Sequence, residues 1–212
     1  MPTVKLYVDG SCVAEDTGEV QMADYGISGI PAFQVSRYAA VALDRKQCVT
    51  ATLDFVPEYT EEQLRDFLKQ QLDAASAEES WKMLLSGIVN EKIASMLCVQ
   101  KHLGERKIAS IPKAKNRQLL REFADLLKQV KFPITGVRGF QFAQVTCGGI
   151  PVTELTKQME SERVEGLYFA GEIVDVDGMC GGYNLQWAWS GGAVAGTAAA
   201  EKSVRRKRPD AK

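Results

Sequence analysis

The chain has 212 residues, of which 45% are hydrophobic and 25% are charged, and its formal net charge is -1. These values are typical of a globular protein that is long enough for one large domain or two small ones. The charge gives no bulk electrostatic reason to expect nucleic acid or a membrane as a partner, and no apolar stretch is long enough to span a bilayer.

The cysteine and histidine content limits the chemistry that the chain can carry. Its five cysteines form no C-x-x-C pair and are odd in number, which favours reduced thiols in a cytoplasmic protein over a disulfide framework. Residues 1–10 lack the charge and apolar pattern of a secretory signal. The single histidine, His102, argues against a histidine triad or a multi-histidine site, so we expect no metal.

Residues 1–56 have the pattern of a β-rich region. Apolar residues alternate with polar ones over residues 4–8 and are followed by the turn dipeptide at 9–10, which predicts a hairpin. A further strand is expected over 47–56. Between these strands, a proline near the start of an apolar run predicts a helix over 31–42.

Residues 57–133 have helical periodicity. A capping-box pattern at residues 60–63 predicts the start of one helix. A second cap signal at Ser76 predicts a helix that runs toward a stop at Gly104. A third helix is expected to carry the apolar residues from 119 to 130. We interpret all of these apolar stripes as core and give them no catalytic role.

Residues 134–200 return to strands and glycine. Residues 140–145 alternate in the manner of a strand, and residues 166–171 are expected to form a short buried strand. The small, apolar residues of 184–200 predict a buried helix that packs closely against a sheet. Residues 201–212 form a basic tail that we expect to be disordered.

The end of the predicted strand at Gly171 introduces the residues that carry chemistry. Glu172 stands at the carboxyl end of this strand, where ligands of open α/β sheets bind. An acidic loop with Asp175 and Asp177 follows, and then Gly181-Gly182 precede a helix. Free N–H groups at a helix start favour a partly negative ligand atom, and glycines allow close approach. The pattern indicates a site for a polar planar ligand; the alternative is that the two glycines form only a turn.

The stretch GLYFAGEIVDVDGMCGGYNLQWAWSGGAVAG resembles the C-terminal signature of the YhiN/BaiN-like family of FAD-dependent oxidoreductases. The upstream segments AQVTCGGIPVTEL and TKQMES, and the early segment YGISGIPAFQVSRYA, are similar to the same family. The resemblance implies a FAD-binding domain of the glutathione-reductase type, interrupted by an inserted domain. Residues 1–56 and 57–133 would be the β-rich and helical parts of that insert, and 134–200 would close the FAD-binding domain.

The resemblance also implies roles for individual residues. Glu172 would contact the ribityl chain, with Asp175 or Asp177 as second candidates. The backbone at the helix start would face the flavin ring. A segment upstream would lie on the substrate side. The implied cofactor-binding residues are Gly171, Glu172, Asp175, Asp177, Gly181, Gly182, Tyr183, Asn184 and Leu185, and the substrate-side residues are Cys147, Gly148 and Gly149. No residue is identified as catalytic.

One departure from the family is large, because the chain has no G-x-G-x-x-G segment for the FAD pyrophosphate. We therefore expect an α/β chain with an α+β insert that lacks the N-terminal Rossmann half. It would be an expressed fragment, a truncated gene product, or one half of a split protein whose partner is the missing half.

The leading hypothesis is an FAD-dependent oxidoreductase of a small-molecule substrate, active only when complete and with its use of NAD(P)H left open. The alternative is a non-catalytic assembly module with a vestigial flavin segment. Nucleic-acid binding ranks last because only the basic run at 205–208 suggests it.

Overall fold

The computed structural model describes residues 1–207, with side chains described through Arg205. The chain divides into two compact units, an N-terminal unit, Met1–Val137, and a C-terminal unit, Arg138–Lys212. The sequence analysis placed a boundary nearby, between residues 133 and 134.

The N-terminal unit combines an antiparallel sheet with helices, so the expected mixture of α and β structure is confirmed. Its strands are β1 Thr3–Val8, β2 Ser11–Thr17, β3 Gln21–Ala23, β4 Gly26–Ser28, β5 Val49–Asp54 and β6 Val130–Pro133. Four of them form one sheet in the order β2-β1-β5-β6, and β3 pairs with β4. The helices of the chain are α1 Ile30–Asp44, α2 Glu61–Ala74, α3 Trp81–Ser86, α4 Glu91–Gln100, α5 Lys113–Lys128 and α6 Tyr183–Lys207.

The hairpin predicted at the start of the chain is confirmed. β1 and β2 pair antiparallel around Asp9 and Gly10, which both adopt positive φ, as a tight hairpin turn requires. The Asp9 carboxylate also accepts a hydrogen bond from the Cys48 backbone N–H at 3.0 Å. This bond joins the turn to the approach of β5, which pairs with β1 along its whole length.

Helix α1 confirms the helix predicted over 31–42 and covers the sheet with its Val35, Ala39 and Ala42 face. Its first turn contains Pro31, and the missing N–H of proline costs no hydrogen bond there, because the first N–H groups of a helix have no acceptor within it. Gly29 precedes it with a φ of 100°, and a Cβ at this position would lie 2.2 Å from the carbonyl oxygen of Glu19. Only glycine fits this entry to the helix.

The helices between β5 and β6 agree with the sequence in part. The capping box at Thr60 and Gln63 is present at the start of α2. The prediction of a single helix from Ser76 is wrong, because two helices cover this stretch. Ser80 caps the start of α3, Gly87 ends α3, and Asn90 caps the start of α4. The Asn90 side chain accepts from the Lys92 N–H and so stabilises a second helix start.

The third predicted helix, α5, ends at Lys128 rather than near residue 130. Val130 begins strand β6, where it pairs with Leu53 of β5. Pro133 ends this edge strand, a position that a residue without a backbone N–H can occupy.

One hydrophobic core joins the sheet and the helices of the N-terminal unit. Trp81 and Phe123 lie at its centre with ring centroids 5.1 Å apart. The fully buried leucines are Leu6, Leu53, Leu64, Leu68, Leu85, Leu97, Leu119 and Leu127, and Val4 and Val56 are buried with them. Cys98 of α4 belongs to this core, and desolvation raises the pKa of its thiol to about 11, which leaves it unreactive at neutral pH.

A buried amide connects three segments of this core. Asn116 of α5 donates through Nδ2 to the carbonyls of Ile108 and Ile111, at 3.0 and 3.2 Å. Its Oδ1 accepts from Trp81 Nε1 at 2.9 Å. All the hydrogen bonds of a buried primary amide except one are therefore made.

We expect Asn116→Leu to lower the free energy of unfolding by about 1–3 kcal/mol, because it leaves the Ile111 carbonyl and the Trp81 N–H without partners in the core, while the Ile108 carbonyl keeps its bond from the Ile111 N–H. Gln118→Leu, at an exposed amide of the same helix, should change it by less than about 0.5 kcal/mol. Urea unfolding of the two variants, followed by circular dichroism, measures the difference. Equal stabilities would show that the amide network contributes nothing.

The C-terminal unit has less regular structure than the sequence predicted. The strand expected over 140–145 is absent, and a short 3-10 turn covers Phe140–Phe142. The expected buried strand over 166–171 is reduced to an isolated bridge between Tyr168 and Glu160, followed by a 3-10 turn at Gly171–Ile173. A strand needs a neighbour for its backbone hydrogen bonds, and within residues 1–207 neither segment has one beyond that bridge.

Helix α6 is longer and more exposed than predicted. Among its described side chains and glycines only Gly191 and Ala195 are buried, so the prediction of a buried helix is wrong for this chain. The helix continues to Lys207, so residues 201–207 are helical rather than disordered; residues 208–212 lie outside the described part. Lys202 pairs with Glu160 at 2.5 Å near this end. No helix within residues 1–207 has the length and apolar character needed to cross a membrane.

Candidate functional site

A short backbone pairing brings two separate segments of the C-terminal unit together. Ile150 forms an isolated parallel bridge with Val174. The Ile150 N–H donates to the Ile173 carbonyl at 2.8 Å, and the Asp175 N–H donates to the Ile150 carbonyl at 2.9 Å. The Cys147–Gly149 segment therefore lies beside the turn that carries Glu172.

Two acids of the candidate site strengthen this pairing. Glu172 Oε1 accepts from the Thr146 backbone N–H at 2.7 Å and from its hydroxyl at 3.2 Å. Asp175 Oδ1 accepts from the Gly148 N–H at 3.0 Å. Each carboxylate keeps its second oxygen without a partner in the described chain, and both residues are exposed. One oxygen of each carboxylate thus holds the backbone of the paired segment in place, and the other oxygen is available to a ligand.

The two glycines of the paired segment have different roles. Gly149 has a φ of 135°, and a Cβ there would lie 2.4 Å from the Ile173 carbonyl oxygen, so the pairing requires glycine. Gly148 also has a positive φ, but a Cβ there would meet no atom within 4 Å. The space beside Gly148 is open.

The predicted glycine turn before α6 is open in the same way. Gly181 and Gly182 have φ values of 125° and 95°, and a Cβ on either would meet nothing within 4 Å. The first helical bond of α6 runs from the Gln186 N–H to the Gly182 carbonyl. The N–H groups of residues 183–185 therefore have no acceptor inside the helix, and they lie at its positive end.

Side chains of α6 fix this helix start against the preceding loop. The Asn184 amide accepts from the Gly178 N–H at 2.7 Å and donates to its carbonyl at 3.3 Å. Trp187 donates through Nε1 to the Gly171 carbonyl at 3.2 Å. Asn184 is thus occupied within the protein, and it contributes its backbone rather than its side chain to any ligand. Asp177 lies half-buried in the same loop.

The structure therefore brings some of the predicted site residues together. Glu172 bonds to Thr146, directly before the Cys147–Gly149 segment, and Asp175 bonds to Gly148 within it. Gly171 contacts α6 through Trp187. Sequence reasoning missed Thr146, which is 26 residues from its partner Glu172 and has no local pattern that marks it. The half-buried Trp187, which donates to the Gly171 carbonyl, was likewise not among the predicted site residues.

These features fit one part of a flavin dinucleotide. Backbone N–H donors beside the open glycine turn could bond to the polar edge of a planar ring, and the second carboxylate oxygens could accept hydrogen bonds from hydroxyl groups. The pyrophosphate has no matching element, because the sequence has no glycine-rich G-x-G-x-x-G loop.

Comparison with known proteins identifies the family of the chain. Residues 1–145 match the family described as HI0933-like protein barrel and H2TH domain, and residues 121–198 match the HI0933-like protein Rossmann domain. A 3-dehydro-bile acid delta(4,6)-reductase of Clostridium scindens is 40% identical over 195 residues, which are 90% of this chain and 46% of that protein.

Two further relatives are ribosomal RNA dihydrouridine synthases. The protein of Haemophilus influenzae is 32% identical over 78% of this chain and 38% of its own length. The protein of Escherichia coli is 39% identical over 48% of this chain and 28% of its own length. The chain thus spans less than half the length of each of the three relatives. The resemblance to YhiN/BaiN-like FAD-dependent oxidoreductases is confirmed, and the chain belongs to the HI0933-like family.

Proposed function

We propose that this chain is the part of an FAD-dependent oxidoreductase that binds the flavin ring and ribityl chain. The observation that carries the proposal is the proximity of Glu172 and Asp175, each with one free oxygen, to the backbone of Cys147–Gly149. The open glycine turn and the helix start of α6 follow in the same unit, and Trp187 links that helix to Gly171.

Each group then has a definite task. The N–H groups of residues 183–185 donate to the flavin ring and stabilise the negative charge that reduction places there. Glu172 accepts a ribityl hydroxyl, with Asp175 or Asp177 as the second acceptor. Gly148 leaves room beside the ring for substrate. The flavin itself supplies the redox chemistry.

The exposed apolar surface of the C-terminal unit supports the proposal that a further segment packs against it. Leu185 and Trp189 are 61% and 70% exposed, and Val174 and Ala195 are the buried hydrophobic residues of this unit in its described part. So small a core does not stabilise a domain alone, and so much exposed apolar surface marks an interface. We propose that an N-terminal dinucleotide-binding half covers this surface and supplies the pyrophosphate site.

The substrate in this proposal is a small molecule, and the reaction is a reduction. The Clostridium scindens relative, which matches 90% of this chain, is a 3-dehydro-bile acid delta(4,6)-reductase. A nicotinamide is the electron donor to test first. A cytoplasmic location, inferred from the odd number of cysteines and the lack of a C-x-x-C pair, belongs to the same proposal. The alternative of a vestigial, non-catalytic module is disfavoured, because the glycine turn remains open and the acids keep free oxygens.

The chain purified alone should be nearly colourless, because half of the cofactor has no site in it. The same chain, joined to or mixed with a dinucleotide-binding half of its family, should bind FAD stoichiometrically. Absorbance in the flavin bands and an FAD titration measure both. Stoichiometric flavin in the chain alone would contradict the divided site, and its absence from the complete protein would contradict the proposed function.

A further inference from the structure

One carbonyl joins the turn that carries Glu172 to helix α6. The Gly171 carbonyl accepts from the Val174 N–H at 3.2 Å and so closes the 3-10 turn Gly171–Ile173. The same carbonyl accepts from Nε1 of the half-buried Trp187, also at 3.2 Å. A carbonyl oxygen has two lone pairs, so both bonds form at once. The indole therefore holds the turn from the side of the helix.

The same face of α6 packs closely on this turn. A Cβ on Gly191, about one helical turn after Trp187, would lie 3.5 Å from Met159 Cε and 3.9 Å from the Gly171 nitrogen. A Cβ on Gly171 would lie 3.7 Å from the Cβ of Ala188. Apolar contacts of this kind have little directional preference, whereas an N–H···O bond favours a nearly linear geometry. The Trp187 bond therefore fixes the register of helix and turn more strictly than packing alone.

This bond joins the two ends of the candidate site. Glu172, the proposed acceptor for a ribityl hydroxyl, directly follows Gly171 in the sequence. The N–H groups of residues 183–185, the proposed donors to the ring, lie within about one helical turn of Trp187. Ring and ribityl chain belong to one molecule, so their protein partners must keep a fixed separation in order to bind both at once.

We propose that Trp187 is a positioning residue of the flavin site, which sets the separation between the Glu172 carboxylate and the N–H donors of residues 183–185. This inference rests on the proposed function, and the indole acts through the Gly171 carbonyl. The donors stabilise negative charge on the reduced ring, so a displaced helix start weakens the binding of reduced flavin more than that of oxidised flavin. Trp187 thereby contributes to the midpoint potential of the bound flavin.

Two variants separate the effect of this bond from a general effect on the helix. Trp187→Phe removes the indole N–H and keeps an aromatic ring, and the Gly171 carbonyl retains its bond from Val174. Ser190→Ala is the matched control, because it removes the hydroxyl that accepts from Gln186 Nε2 at 2.8 Å on the exposed side of α6. Each variant loses one side-chain hydrogen bond of the helix, and Trp187→Phe loses the one to the turn. Circular dichroism of the apo-proteins verifies that both variants fold.

The test uses the complete protein, that is, this chain joined to a dinucleotide-binding half of its family. Titration gives the affinity for oxidised FAD, and a spectroelectrochemical titration gives the midpoint potential of the bound flavin. Trp187→Phe should bind oxidised FAD about threefold more weakly and reduced FAD about thirtyfold more weakly. The additional tenfold loss for the reduced form corresponds to a potential that is lower by about 30 mV for a two-electron couple. Ser190→Ala should keep the affinity within about twofold and leave the potential unchanged.

The potential distinguishes a positioning role from a merely structural one. Partial unfolding of Trp187→Phe would lower the amount of bound flavin, but it would not change the potential of the flavin that remains bound. Equal potentials in the parent and in Trp187→Phe therefore overturn the inference, as does an equal shift in Ser190→Ala. A complete parent protein that binds no FAD would contradict the proposed function itself, so the two failures are distinguishable.

Discussion

We expect Leu127→Ala to lower the free energy of unfolding of the N-terminal unit by about 2–5 kcal/mol, the range for truncating a fully buried leucine. Leu127 of α5 is 0% exposed and packs with Phe123 and Leu64 in the same core cluster. The shortened side chain leaves a cavity, and the surrounding core relaxes only partly around it. Urea unfolding followed by far-ultraviolet circular dichroism measures the loss.

Leu126 provides the matched control on the same helix. The helical pattern places Leu126, like Leu84 of α3, among the core positions, but the structure shows both to be half-buried. Leu126→Ala should therefore cost clearly less than Leu127→Ala. Equal losses from the two truncations would mean that the phase of α5 against the core is wrong.

Under the proposed function, we expect Glu172→Gln to lower the affinity of the complete protein for FAD by about ten- to a hundredfold. The glutamine oxygen still accepts from the Thr146 N–H, so the backbone pairing is retained. Its amide nitrogen replaces the free carboxylate oxygen, and the charge-assisted bond to a ribityl hydroxyl is lost at a cost of about 1.5–3 kcal/mol. Titration of FAD into parent and variant measures the change.

Thr146→Ala separates the positioning role of Glu172 from its ligand role. It removes only the hydroxyl bond at 3.2 Å and leaves the carboxylate charge in place. FAD affinity should then remain within about threefold of the parent, because a neutral hydrogen bond at the surface contributes little. If Glu172→Gln leaves FAD affinity unchanged, Glu172 is only a structural residue, and the backbone at the start of α6 is the remaining candidate contact.

Local signals were sufficient to predict most of the N-terminal unit. The Asp9-Gly10 turn and the Thr60 capping box depend on residues within a few positions of each other, and both are present. The break between α3 and α4 was missed because the apolar stripe continues across it. What interrupts the helix is Asn90, whose competing bond to the Lys92 N–H favours a new start.

The C-terminal unit shows where sequence patterns alone fail. Alternation over 140–145 and the apolar run over 166–171 are typical of strands, but a strand forms only beside another strand. The candidate site is different, because its order of acid, glycine turn and helix is local and was recognised. Its Thr146 contact was not, since it joins positions 26 residues apart.

The uncovered face of α6 also has a consequence for the amount of this chain in a cell. Exposed side chains such as Leu185 and Trp189 are what chaperones and proteases recognise on unassembled polypeptides. Copies made in excess of whatever covers that face would be retained by chaperones, aggregate, or be degraded. Under the proposal that a dinucleotide-binding half covers this face, the supply of that half, rather than the rate of synthesis of this chain, would set the steady-state level of the chain.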